Sequence, residues 1–194
     1  ALNETVVLTR EPGGTELGKK IREILLDQDE FEVTPRMEAL LFAADRSINM
    51  SQNIKPALEK GFVVIADRHI DSSIAYQGAG RVLQPNEVAR ISRWATESLF
   101  PTLTIIIDQP AEVGLARLKS RDRLEAEPLA FHERVRNEFL QIASMDPERY
   151  LIVDGLQEID EIHEQIISRV GELPALKRNS EKQAKTKRRA SRKS

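Results

Sequence analysis

At 194 residues, with 40% hydrophobic and 31% charged content, the chain can bury one sizeable core and is too short for two full domains. It has no cysteine, which excludes disulfides, thiolate metal sites and a cysteine nucleophile. The overall charge of −2 is unevenly spread: residues 172–194 carry nine Lys/Arg against Glu172 and Glu181, leaving the body near −9, so tail and body are expected to do different things.

No window holds the roughly 20 apolar residues that a membrane-spanning helix requires, and the N-terminus has neither the basic start nor the apolar run of a signal peptide. A cytoplasmic protein is expected. The opening Ala1, followed closely by the apolar Val6, Val7 and Leu8, reads as the abrupt start of a fragment.

Thr5 to Thr9 is the first short β-branched run and predicts a strand. A helix follows, with Ile21, Ile24 and Leu25 on one face. The next helix is predicted from Thr34 to about Lys60, with Thr34 and Pro35 as N-cap and first turn, Ala39, Leu40, Ala43 and Ala44 along it, and Gly61 as its stop. Phe62 to Ala66 and Leu103 to Ile107 are further strands, and Tyr150 to Val153 a weaker one. Helices are predicted at 85–98, 111–121, 128–145 and 158–171. Because the runs are continuously apolar, strands buried on both faces of one parallel sheet are expected, with helices on either side. Ligands of such a sheet bind at the carboxyl ends of its strands. From 172 the chain reads as a basic, disordered tail.

Several constellations follow those strand ends. Asp67-Arg68 puts a guanidinium where it can grip phosphate oxygens bidentately, although alone the pair is equally a strand-end salt bridge. Ser72, Ser73, Tyr76, Gln77, Gly78 and Arg81 then gather hydroxyl, amide and guanidinium donors on one short stretch. Glu11-Pro12-Gly13-Gly14-Thr15 is a turn whose glycines permit close backbone approach. Gly13 to Lys20 mimics a phosphate loop, but Lys20 stands where a Ser or Thr hydroxyl should bind Mg²⁺. Phe42 and Arg46 share a helical face and suit stacking and edge bonding of a base, or else core packing with an exposed arginine. Arg117, Lys119, Arg121 and Arg123 are interleaved with Asp122, Glu125 and Glu127, as in a solvated face or a mobile lid at about 118–127. His69, His132 and His163 are scattered and indicate no metal site.

Four of these segments in order, TREPGGT (Thr9 to Thr15), LFAADR (Leu41 to Arg46), DRHIDSSIAYQG (Asp67 to Gly78) and SRDRLE (Ser120 to Glu125), resemble thymidylate kinases of the bacterial type, with the likeness running from about Thr5 to Val170. The resemblance implies a three-layer α/β fold of the P-loop nucleoside monophosphate kinases over residues 1–171. It implies transfer of the ATP γ-phosphoryl group to dTMP for dTTP synthesis, with Mg²⁺, in a homodimer. By the same resemblance Phe42 stacks on thymine and Arg46 bonds its edge. Ser73 and Gln77 complete base recognition and Tyr76 lies beside the sugar. Arg68 clamps the acceptor phosphate and approaches the transferred group, while Asp67 orients Arg68 or a metal-bound water. Arg22 reaches the acceptor phosphate, Glu11 the sugar and metal surroundings, and Arg121 and Arg123 close over the ATP phosphates.

Two features depart from the family pattern. The family's first strand, glycine-rich phosphate loop and first helix are not in this sequence, so little kinase activity is expected of the chain by itself and full activity of a longer product. The competing readings are a non-catalytic nucleotide-binding remnant and another nucleoside monophosphate kinase. The basic tail is the second departure, and only weak electrostatic contact with nucleic acid is expected of it, since no aromatic residue interleaves its charges.

Overall fold

A computed structural model describes residues 4–27, 32–174 and 176. Strand β1 (Val6–Arg10) leads to helices α1 (Glu16–Leu26) and α2 (Pro35–Asn49), a π-helical turn at Met50–Ile54, and α3 (Lys55–Glu59). Then come β2 (Val63–Asp67), α4 (Ile70–Ser73), a second π-helical segment at Ile74–Gly80, and α5 (Pro85–Ala95). The remaining elements are β3 (Thr104–Asp108), α6 (Ala111–Ala116), α7 (Leu129–Met145), β4 (Tyr150–Asp154) and α8 (Ile159–Gly171).

The helix starts follow from their caps. Thr15 accepts the Gly18 amide hydrogen at 2.9 Å, and Thr34 accepts that of Met37 at 3.4 Å with Pro35 in the first turn. Gly61, at φ +75°, closes the run that began at Thr34. That run is not one uniform helix. Pro56 has no N–H to bond the carbonyl one turn back, and the chain widens into the π turn just before it. Helix α6 ends at Ala116 instead of 121, because the polar run beyond it offers no apolar stripe to bury.

The strands form two separate parallel pairs among the described residues, where one continuous sheet was expected. β1 and β2 pair from Val6 opposite Val63 to Arg10 opposite Asp67, and β3 and β4 from Thr104 opposite Tyr150 to Asp108 opposite Asp154. Nor are the strands buried on both faces: Leu8 is 75%, Ile65 55% and Ile107 56% exposed. Helix α3 packs on β2, and α7 and α8 on β4, which covers only part of each pair.

The largest apolar cluster is helical. Ile21 and Leu25 of α1, Phe42 of α2, Ala75, Leu124, and Phe131 and Val135 of α7 form it, with Tyr76 and Phe139 packed against it. It anchors α1, α2, the π segment and α7 around one cleft. Among the described residues no helix is long and apolar enough to cross a membrane. The expected basic tail lies outside them from 177 on. Its start is ordered further than predicted, since Leu176 is buried and its amide bonds the Leu173 carbonyl.

Candidate active site

A cleft of about 490 Å³ opens at the carboxyl ends of β1, β2 and β3. The β1 loop and the first helices contribute Glu11, Arg22, Phe42 and Arg46 to its lining. Asp67 and Arg68 enter from the end of β2, and Ser73, Tyr76 and Gln77 from α4 and the π segment. Every acceptor-site residue expected from the sequence therefore reaches one cavity. Arg121 and Arg123 do not line it, although Asp122, Leu124 and Glu125 between and beside them do. The far wall holds Asp108 and Gln109, which follow the third strand where the strand-end rule points, and His132 and Arg136, which sequence reasoning did not place in the site.

Arg46 is the centre of one end of the cleft. It is 1% exposed. Its Nε donates to Glu11 Oε2 at 2.7 Å, Nη1 to Ser92 Oγ at 3.2 Å, and Nη2 to Ser73 Oγ at 3.1 Å and the His69 carbonyl at 3.2 Å. Glu11 is held from both oxygens: its Oε1 accepts from Asn49 Nδ2 at 3.2 Å and lies 3.2 Å from His69 Nδ1. Burial pushes the Glu11 carboxyl up, but Arg46, with His69 and Asn49, outweighs it and holds the group below its ordinary value. Glu11 thus holds Arg46 in place, with Oε2 bonded to Arg46 alone among the described residues. Phe42 belongs to the core cluster and also lines the cleft, while Arg46 is buried and not exposed as the core-packing alternative had it.

The other end of the cleft carries Arg68 and Arg22. Arg68 stands in the left-handed region at φ +68°, a conformation that costs a non-glycine residue about 1–2 kcal/mol and that surrounding structure must enforce. Its guanidinium carbon lies 4.9 Å from the Tyr76 ring centroid. Tyr76 is itself braced edge-on by Phe131 and Phe139 at 6.0 and 6.3 Å. Arg22 crosses the loop, with Nη1 donating to the Pro12 carbonyl at 3.2 Å, and Gly13 at φ +105° makes that loop turn. Asp67 is exposed at the end of β2. On the opposite rim Arg136 and Asp108 form a two-pronged ion pair, both contacts 2.7 Å.

Arg123, expected over donor phosphates, points elsewhere in this structure. Its Nε donates to the Leu25 carbonyl at 2.7 Å and its Nη2 to Glu38 Oε2 at 2.5 Å. Glu38 also takes Arg81 and Gln77, so the segment expected as a lid is tied to α2. Glu38 was legible only as a first-turn acid of α2, where a carboxylate favours the helix dipole. Its position four residues before Phe42, on the same face, was the missed signal.

The described residues include no group of three or more acidic or histidine side chains that could hold a metal ion. Asp67, exposed at the strand end, fits a contact through metal-bound water, while Glu11 already bonds Arg46 and Asn49. An aromatic face, a held guanidinium and further arginines stand together at the ends of parallel strands, a cleft of an α/β protein suited to a planar, anionic ligand.

The thymidylate kinase family model matches residues 1–166. The thymidylate kinase of Leifsonia xyli subsp. xyli is 50% identical over 173 residues, 87% of this chain and 81% of that protein. That of Bifidobacterium longum strain DJO10A is 45% identical over 177 residues, 89% of this chain and 86% of the relative. The crystal structure of thymidylate kinase from Ehrlichia chaffeensis superposes with a TM-score of 0.68 at 32% identity, covering 86% of this chain and 80% of that one. The chain belongs to the thymidylate kinase family.

Proposed function

We propose that the chain binds dTMP in this cleft and takes part in its phosphorylation to dTDP by ATP, a step in dTTP synthesis. The observation that carries the reading is Arg46: a buried cation locked by Glu11, Ser73 and the His69 carbonyl beside the Phe42 ring, at the base-facing end of a cleft whose other end holds Arg68 and Arg22. Thymine stacks on Phe42 and accepts from Arg46, Ser73 and Gln77 complete the base contacts, and Tyr76 stands beside the deoxyribose. Arg68 and Arg22 take the acceptor phosphate.

In the reaction an oxygen of that phosphate attacks the γ-phosphorus of ATP in line; the new P–O bond forms as the bond to the β–γ bridging oxygen breaks, and ADP leaves. No covalent enzyme intermediate is needed, so the chain's contribution is position and positive charge. Bound Mg²⁺ supplies charge neutralisation on the donor phosphates. Asp67 orients Arg68 and the water around that ion. Arg121, exposed on the lid, is assigned to the donor phosphates, and Arg123 joins it only after leaving Glu38.

Calorimetric titration tests the reading. The chain is expected to bind dTMP one to one and AMP at least tenfold more weakly. Arg68→Ala should weaken dTMP about tenfold, the value of one charge-assisted contact, and should lower dTMP-dependent ADP formation by about 10³-fold wherever turnover is measured. Equal binding of both nucleotides, or dTMP affinity indifferent to Arg68, would overturn it. The homodimer is part of the proposal: Trp94, 83% exposed, and Leu40 flank an apolar groove between α2 and α5 suited to a second copy. Trp94→Glu should shift sedimentation to the monomer.

A further inference from the structure

The side chain of Gln77 is an amide, whose oxygen and nitrogen can exchange places by a half-turn, and the two orientations offer a ligand opposite chemistry. Glu38 removes that freedom. Gln77 Nε2 donates to Glu38 Oε1 at 3.1 Å, and both residues are buried. The same carboxylate accepts from Arg81 Nε at 3.1 and 3.2 Å, from Arg81 Nη2 at 2.9 Å and from Arg123 Nη2 at 2.5 Å. Surrounded by two guanidinium groups it is ionised and can only accept. Turning the amide over would set an oxygen against that carboxylate, losing a buried hydrogen bond and adding repulsion. Among the described residues the Gln77 oxygen takes no hydrogen bond, and the residue lines the cleft. Ser73, whose hydroxyl holds Arg46, lies four residues earlier on the same helical face, so acceptor and donor stand side by side.

We propose that Glu38 is a specificity-positioning residue, which fixes the Gln77 amide so that the cleft presents an acceptor beside the donors of Arg46. That pair complements a pyrimidine with a 4-carbonyl and an N3–H. It opposes a 4-aminopyrimidine, whose N3 is an acceptor and whose N4 is a donor. Two buried carboxylates thus hold the two groups that read the base edge, Glu11 behind Arg46 and Glu38 behind Gln77. The inference rests on the reading of the cleft as the acceptor-nucleotide site.

The test is titration of dTMP, dUMP and dCMP into the wild-type chain and into Glu38→Gln. A neutral amide at 38 both donates and accepts, so Gln77 can turn over. The preference for dTMP over dCMP should fall about tenfold or more, one hydrogen-bond pairing, while the dTMP to dUMP ratio, which reads only the methyl group, stays put. Glu38→Gln leaves Arg123 facing a neutral group. If that variant melts early, Glu38→Gln with Arg123→Met removes the stranded cation while Arg81 keeps Glu127. A folded variant with an unchanged dTMP to dCMP ratio, or with affinity for both nucleotides lowered equally, overturns the inference. Gln77→Leu separates the two levels. If it weakens dTMP binding while Glu38→Gln leaves the ratio unchanged, the role of Glu38 fails and the site stands. If it leaves dTMP binding intact, both fall.

Discussion

Asp45 is buried beside the cleft without the partners its neighbours have. Its Oδ1 accepts the Gly13 amide hydrogen at 3.0 Å, and its Oδ2 has no hydrogen bond. Burial pushes its carboxyl up to about 6, against the pull of the Gly13 bond and of Arg46, with Glu11 adding repulsion. The sign of the consequence is fixed. The folded state holds the proton more tightly than the unfolded one, so the neutral form's advantage is complete below the unfolded value of 3.8 and is lost as pH rises through about 6. Asp45→Asn keeps the acceptor for Gly13 and removes the charge. It should be more stable than wild type by about 2–3 kcal/mol at pH 8, with the gap closing toward pH 4. Urea unfolding of both chains across that range checks it; a gap that does not change with pH would refute the assignment. Glu11 and Glu38, whose carboxyls are held low, act oppositely and lose stability as pH falls, in both chains.

At the scale of elements, the π segment Ile74–Gly80 sets where Tyr76 and Gln77 point, and α7 presses on it directly. Gly80 makes this contact possible. A Cβ there would stand 2.7 Å from Phe131 Cε2 and 3.0 Å from Val135 Cγ2, both core side chains that cannot swing away. Gly80→Ala should therefore cost about 1–3 kcal/mol in thermal or denaturant unfolding and weaken dTMP binding by displacing Gln77. Unchanged stability would mean that α7 yields freely. Neither π segment was legible in the sequence, because apolar spacing over so few residues does not separate a π from an α turn; only Pro56 hinted at one of them. Strand positions and most helix starts were legible to within a few residues because their apolar runs and caps are local, whereas α4 was not predicted and α6 stops short of its expected end. The residues following β1 and β2 that line the cleft were legible for the same reason, as motifs at strand ends. The buried carboxylates Glu38 and Asp45 were not, since a charge on a helix reads as solvated until the partners brought by distant segments are known.

At the scale of the whole molecule, the two strand pairs share no backbone ladder among the described residues, yet both must hold the walls of one cleft. Asp71 of α4 joins them. This buried carboxylate accepts from Tyr150 Oη at 2.8 Å, from Thr104 Oγ1 at 3.2 Å and from Arg149 Nη1 at 3.4 Å, so an element that follows β2 grips the first residues of β3 and β4. Burial and the Asp71 charge push the Tyr150 phenol well above its ordinary value, so it stays a donor throughout the working range. Asp71→Ala strands three donors at once and should cost about 3–5 kcal/mol, as when one partner of a buried ion pair is removed. The loss should also be uneven. Amide hydrogen exchange is expected to rise in β3 and β4 before β1 and β2, and dTMP affinity to fall, because α4 runs straight into Ser73 and the π segment. Tyr150→Phe, which removes one donor and leaves Asp71 its other two, should cost about 1 kcal/mol and keep the exchange pattern of wild type. Equal acceleration of exchange in all four strands of the Asp71→Ala chain would show that the pairs are coupled by something other than this carboxylate.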